Sequence, residues 1–334
     1  MTLETVVEKI KDKGSLSDAI GSFYDAAHSY SSNMAGYRSN FPALDNTLEG
    51  LQKGLILLGG RAHHGKTMWF VNYLFALARN NKDVTVVFFS IDDDKDIIAN
   101  RLLSMSSILP MKYTKNVNKV YHNPDFTEVQ KEMFQKNYAN HKRIIENIRN
   151  FKLFDAGDGR SLQFILDTAH EIREKHGKII LAIDNFHNIS HDIRNENERF
   201  SDISGKLKDF ATNTETPVIC TAKLRKAEFD GGYFRRPNID QIKNSVDIQF
   251  DATVILGIYS HYIATDKASD LYENFRGTTA PIVEIHVLKN KQGDCHKYFY
   301  YDLKGAFALV EERDPDTFEE HKAYIDNYKA KNSG

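Results

Sequence analysis

Apolar residues fall along this chain in two rhythms. The first is a short, unbroken run bounded by polar residues, at positions 55–59, 84–90, 178–184 and 217–221. Such runs are too continuous for strands with one wet face and fit strands covered on both sides in a parallel sheet. Residues 84–90 (Val-Thr-Val-Val-Phe-Phe-Ser) are the most continuous and predict a central strand. Residues 152–155, 253–258 and 281–288 add further strands, and 289–296 reads as a turn before a last strand at 297–302, together a terminal hairpin. The second rhythm places apolar residues three and four apart, as on one face of a helix. It carries Trp69, Phe70, Tyr73, Leu74 and Leu77 up to the Asn80-Asn81 break, and it recurs over 164–176 and in a helix ending near Phe210. Residues 95–150 read as charged helices broken by a Pro/Asn-rich stretch at 116–125. Strands alternating with helices argue an α/β fold, a mainly parallel, helix-flanked sheet with a C-terminal β-hairpin.

The ends read differently. Residues 3–13 and 16–28 predict two short helices, and 29–40 is a Ser/Asn/Gly-rich linker, so 1–40 forms a helical arm with a linker. That arm packs either on its own domain or on a neighbouring subunit; both readings stand. The core spans 41–312, and 313–334 is a tail in which Asp314-Pro315 opens a charged helix to about Tyr328.

The first run leads into chemistry. Gly60-Arg61-Ala62-His63-His64-Gly65-Lys66-Thr67 fits the phosphate-binding pattern G-x-x-x-x-G-K-[ST], between a strand and a helix. The glycines let successive N–H groups curl into an anion-sized nest, and the helix adds its unsatisfied N–H groups and dipole. All eight residues are therefore candidate nucleotide contacts. Lys66 is expected at the β- and γ-phosphates of ATP and Thr67 as a ligand of Mg²⁺. Asp184, closing an apolar strand, is the expected second Mg²⁺ residue. Asp92, at another strand end, is a candidate base for an attacking water, or else part of a solvated acidic turn with Asp93 and Asp94. His63 and His64 lack metal-ligand spacing and read as loop residues that at most touch phosphate.

Composition narrows the class. The 334 residues include 44 Lys+Arg and 46 Asp+Glu, a net charge of −2, so nucleic acid is not attracted by global charge and must meet a local patch. Two cysteines, Cys220 and Cys295, make no disulfide framework, and no run is long and apolar enough for a membrane span or leader; a reduced, cytoplasmic setting follows.

Six ordered motifs resemble the helicase domain of DnaB-type replicative helicases. They are Phe41-Pro-Ala-Leu-Asp with Leu48-Glu-Gly-Leu-Gln-Lys-Gly; the P-loop with Arg61; Phe88-Phe89-Ser90-Ile91-Asp92 with Arg101-Leu102; Ile183-Asp184-Asn185-Phe186-His187; Arg236-Pro237 with Lys243-Asn244-Ser245-Val246 through Ala252; and Lys289-Asn290-Lys291-Gln292-Gly293. The resemblance implies a RecA-like P-loop ATPase that assembles as a hexameric ring, with nucleotide at subunit boundaries and single-stranded DNA in the channel. It puts Asp92 where the family has a catalytic glutamate, and Lys223 where it has a γ-phosphate-sensing glutamine. Lys289 and Lys291 stand where the family's lysine and arginine finger reach a neighbour's γ-phosphate, and Lys243, Asn244 and Val246 in the DNA-contacting loop. Arg225, Lys226, Arg235 and Arg236 either add to that DNA surface or are solvated loop charges. Asp92 is one methylene shorter than glutamate, Lys223 is a cation in place of a neutral group, and Lys291 lacks arginine's planar fork. No counterpart of the family's N-terminal primase-interacting domain precedes the core, although a primase or loader is a candidate partner.

The expected function is an ATP-hydrolysing helicase or translocase on single-stranded DNA, in the replication of a phage or mobile element. The rival is an oligomeric ATP-binding switch without processive unwinding, and a recombinase-type filament is a third reading.

Overall fold

A computed structural model describes residues 34–225, 236–242, 246–265, 272–273 and 279–313, with residues 16, 19–21 and 24 near the start. The arm helix expected over 3–13, most of that over 16–28, much of the basic loop and the tail helix lie outside the described residues.

The frame is a nine-stranded sheet. Its strands are β1 (Gly54–Gly60), β2 (Thr85–Ser90), β3 (Phe151–Asp155), β4 (Ile179–Asp184), β5 (Pro217–Lys223), β6 (Val254–Tyr259), β9 (Ile282–Asn290), β10 (Tyr298–Lys304) and β11 (Leu309–Glu312). Two short strands, β7 (Tyr272–Glu273) and β8 (Thr279–Ala280), pair apart from it. The order is β11-β10-β9-β6-β1-β5-β4-β2-β3. From β6 to β3 the pairing is parallel, and β9, β10 and β11 continue it antiparallel. This is the mainly parallel, helix-flanked sheet with a terminal hairpin that the hydrophobic pattern predicts.

The unbroken runs are unbroken because each sheet face has its own core. Ile56, Leu58, Val86, Phe88, Ile180, Ala182 and Ile219 face one cluster, with the helices Lys66–Asn80 and Lys95–Ser107. Leu55, Leu57, Val87, Phe89, Leu181, Ile183 and Cys220 face the other, with Leu162–His176 and Glu196–Thr214. Alternate side chains point to opposite faces, so a strand covered on both sides must be apolar at every position.

Three expectations need correction. β2 is second from the β3 edge rather than central. The expected turn at 289–296 begins as strand, since β9 runs to Asn290 and pairs with Val254. Residues 36–40 of the expected linker are tied to the core: Gly36 N–H donates to Glu49 O at 2.8 Å, and Tyr37 bridges Leu51. The structure also adds β11 and the helix Pro42–Leu48, which the apolar pattern does not announce. That helix docks through Phe41, which stacks on Trp69 at 5.7 Å and on Tyr73 at 5.9 Å and meets Tyr301 edge-on at 5.3 Å. The aromatic cluster seats the entry segment against the helix that follows the phosphate loop.

Candidate nucleotide site

The candidate site lies at the carboxyl ends of the parallel strands, where open α/β sheets bind ligands. β1 ends at Gly60 beside Lys223 of β5 and Ile258 of β6. A Cβ at Gly60 would stand 2.3 Å from the Ile258 side chain and 2.8 Å from Lys66 Cγ, so only glycine lets the loop begin there. His63 and Gly65 take positive φ, 65° and 85°, turning the chain into the helix that starts at Lys66.

Lys66 Nζ donates to Arg61 O at 2.7 Å, across the mouth of its own loop. Burial lowers its pKa, opposed by the charges of Asp184 and Asp92 and reinforced by Lys223. Those four side chains therefore share one electrostatic site. Asp184 is buried; its Oδ1 accepts from the Thr221 hydroxyl, and its Oδ2 is buried with no hydrogen-bond partner among the described residues. Burial raises its pKa, and the Thr221 and Thr67 hydroxyls pull it back. An orphaned, buried carboxylate oxygen beside a threonine hydroxyl is a donor set that suits Mg²⁺, so Thr67 and Asp184 fit that ion.

The acidic turn after β2 divides its labour. Asp93 pairs with Arg101 at 2.5 Å, and Asp94 is the N-cap residue of Lys95–Ser107. Asp92 faces the site: its N–H donates to Asp184 O at 3.1 Å, and its carboxylate accepts from Asn185 Nδ2 at 2.6 Å and from Asn188 Nδ2. Lys223 Nζ donates to Asn188 Oδ1 at 3.1 Å. Sequence reasoning missed Thr221, Asn185 and Asn188 as functional residues. A hydroxyl or amide at a strand end carries no signal until its neighbours in space are known.

Two expected site residues are used structurally. His64 is buried, and its Nδ1 accepts from the Ser260 N–H at 2.9 Å. Burial and the nearby Arg61 and Lys66 push its pKa down to about 4, so the ring is a neutral brace for the loop. Arg236 is committed to Glu284, with Nε–Oε2 at 2.7 Å and Nη2–Oε1 at 3.1 Å. Glu284 is buried and also bonds His286 at 2.7 Å, so this guanidinium anchors the loop base. Lys226, Arg235, Lys243 and Asn244 lie outside the described residues, Arg225 is exposed, and Val246 begins the helix Val246–Asp251.

Lys289 and Lys291 are not brought to this site. They sit at the far end of β9, where Lys291 N–H donates to Thr253 O beside the start of β1. Lys289 is level with Leu57, in the middle of β1, and Lys291 stands beside Thr253 near Leu55, so roughly 10 to 17 Å of β1 lies between them and Gly60, where the phosphate loop of the same subunit begins. Lys289 Nζ donates to Gln249 O and Lys291 Nζ to Phe250 O at 2.8 Å, so both cap the carboxyl end of Val246–Asp251. Burial, and then the charge of Lys291, lower the Lys289 pKa to about 8.

Both cysteines are free, Cys220 buried and Cys295 exposed. Among the described residues no helix is long and apolar enough to cross a membrane.

Comparison with known proteins agrees with this architecture. Residues 36–303 match the model of the DnaB-like helicase C terminal domain. A probable replicative DNA helicase of Trieres chinensis is 26% identical over 291 residues, covering 81% of this chain and 58% of the relative. The replicative DNA helicase DnaB of Helicobacter pylori J99 is 25% identical over 274 residues, covering 79% of this chain and 52% of the relative. The chain thus spans little more than half the length of these curated relatives. Among solved structures, an ATPase domain superposes with a TM-score of 0.75 at 20% identity, covering 90% of this chain and 100% of that one. A DnaB-like replicative helicase, studied with its primase interactions, gives 0.74 at 19% identity, covering 93% and 71%. Both have the same fold.

Proposed function

This chain belongs to the DnaB-like helicase C-terminal domain family, and from that membership we propose that it is an ATP-hydrolysing motor on single-stranded DNA. The observation that carries the reading is the convergence of Lys66, Thr67, Asp184 and Asp92 at the carboxyl ends of β1, β4 and β2. In this reading the loop N–H groups and Lys66 hold the ATP phosphates. Thr67 and Asp184 would hold Mg²⁺, which would supply charge neutralisation at the phosphates. Asp92 orients a water and takes its proton as the water oxygen bonds the γ-phosphorus and ADP leaves. The remaining charge on the γ-phosphate is met by Lys289 and Lys291 of a neighbouring subunit, because the same subunit's pair turns to the carbonyls of Gln249 and Phe250 and not to its own phosphate loop. That requirement supports a closed homo-oligomer, a hexameric ring as the family resemblance implies. Lys243, Asn244 and Val246 meet single-stranded DNA in its channel, with Arg225, Lys226 and Arg235 adding positive charge. A primase or loader is a candidate partner, and replication of a phage or mobile element a candidate setting.

The test is ATP hydrolysis by the purified chain, with and without single-stranded DNA, beside Lys66→Ala. Stimulation by DNA that vanishes in the variant supports the motor. The specific features that favour the rival, a nucleotide switch, are the cation at Lys223 and the pinning of Asp92 by two amides. Tight ATP binding with negligible turnover, with or without DNA, would establish that rival instead.

A further inference from the structure

Both oxygens of Asp92 are held by side-chain amides. Asn185, itself buried, donates from Nδ2 to Oδ2 at 2.6 Å, and Asn188 donates from Nδ2 to Oδ1. The orientation of Asn185 is set independently, because its Oδ1 accepts from the His187 N–H at 2.8 Å. Asn188 is set by charge: its NH₂ end faces a carboxylate and its oxygen faces the Lys223 ammonium at 3.1 Å. Flipped, it would turn oxygen to oxygen and NH₂ to ammonium. One amide therefore lies between an acid and a cation, and its donor and acceptor ends match only this order.

Three neighbouring strands bring these groups together. Asp92 follows β2, Asn185 and Asn188 follow β4, and Lys223 ends β5; the strands lie side by side in the order β5-β4-β2. The segment between is braced. His187 Nδ1 accepts from the Lys223 N–H at 3.2 Å, and its ring meets Phe186 and Phe200 edge-on. Asn188 is thus held over a rigid floor with one movable neighbour, the exposed Lys223 side chain.

We propose that Asn188 is a positioning residue that links Lys223 to Asp92. With Asn185 it fixes the Asp92 carboxylate, which a side chain one methylene shorter than glutamate requires. When Lys223 turns to an anionic γ-phosphate, it draws away from the Asn188 oxygen, and Asn188, still bonded to Asp92, re-aims one oxygen of that carboxylate. The presence of the phosphate is thereby transmitted to the group that takes the proton from water. The catalytic half of this proposal rests on the hydrolase reading above; the hydrogen-bonded link does not.

The experiment uses the full chain and compares Asn188→Leu, Lys223→Met and the double variant in ATP hydrolysis. Asn188→Leu is expected to lower kcat about tenfold with KM for ATP within about twofold, the signature of a lost transition-state contribution. The double variant is expected to be no slower than the slower single, because both break one linkage. Losses that multiply, or wild-type kcat in Asn188→Leu, would overturn the proposal. A second cycle reads thermal unfolding of Asn188→Leu, Asp92→Ala and their combination. A combined Tm loss smaller than the sum supports the link, and a strictly additive loss overturns it. Absence of Lys66-dependent hydrolysis in the wild type would overturn the hydrolase reading and the catalytic half together, while the Tm cycle still judges the link.

Discussion

The two ends of the parallel sheet treat their charges in opposite ways. At the carboxyl end, Lys66, Asp184, Asp92 and Lys223 form an alternating set in which each charge has an opposite neighbour or an amide between. At the amino end, Lys289 and Lys291 lie side by side, and their ammonium groups donate to backbone carbonyls. Burial first, and then the like charge of Lys291, depress the Lys289 pKa. The lesson is that one end is balanced by its own side chains, whereas at the other the two ammonium groups rest on backbone carbonyls, with Asp251 the acid that offsets the pKa loss of Lys289.

The sharpest way to break this comparison is to separate its halves. Lys66→Ala and the pair Lys289→Ala/Lys291→Ala are each expected to lower hydrolysis on the order of 100-fold, the scale for removing a group that stabilises developing charge. Mixed and reassembled, the two inactive preparations are expected to regain measurable hydrolysis, because some boundaries would join an intact phosphate loop to intact lysines. A mixture as inactive as its parts would mean that the two ends do not share a site.

A smaller effect tests the balanced end alone. Arg236→Ala removes a guanidinium bonded to the buried Glu284, and breaking a buried pair costs about 3–5 kcal/mol. Urea unfolding should show that loss, and Arg236→Met with Glu284→Leu should restore most of it. DNA affinity that falls in Arg236→Ala but recovers in the double variant would identify the arginine as an anchor of the loop; affinity that stays low would give it a direct contact.

The mildest test is pH. Lys289 releases its proton near 8 in the folded chain against an ordinary 10.5. Between those values the unfolded chain binds more protons, so the contribution of Lys289 makes stability rise with pH across that window. Its proposed function should move the other way, since the Lys289 ammonium loses the positive charge meant for a neighbour's phosphate as pH passes about 8. Hydrolysis falling while the unfolding midpoint rises would separate the roles, and Lys289→Arg should flatten both trends.

Much of the frame was legible because its signals are local. A strand covered on both faces must be apolar throughout, so β1, β2, β4 and β5 announce themselves as runs. The loop from Gly60 to Thr67 is equally local: strand, turn and helix are consecutive, and the positive φ of Gly65 belongs to the residue itself. Asp184 and Asp92 could be picked because strand ends are where an open parallel sheet keeps polar groups.

What tertiary structure alone decided are the pairings between distant strand ends. The acidic turn offers three carboxylates in a row, and only the position of Arg101 takes Asp93 away and leaves Asp92 facing the site. His64 reads as a loop residue that at most touches phosphate, and only the fold shows β6 bringing Ser260 against its ring. Arg236 reads as either a DNA contact or a solvated loop charge, and only the fold shows β9 supplying Glu284 as its partner. The place of β2 near an edge depends on strand order, because β2 and a central strand are alike in being covered on both faces. The physical reason is common to all four. Apolar periodicity and backbone conformation are properties of neighbours along the chain, whereas the partner of a polar group is chosen by packing, and no residue type carries the address of its partner.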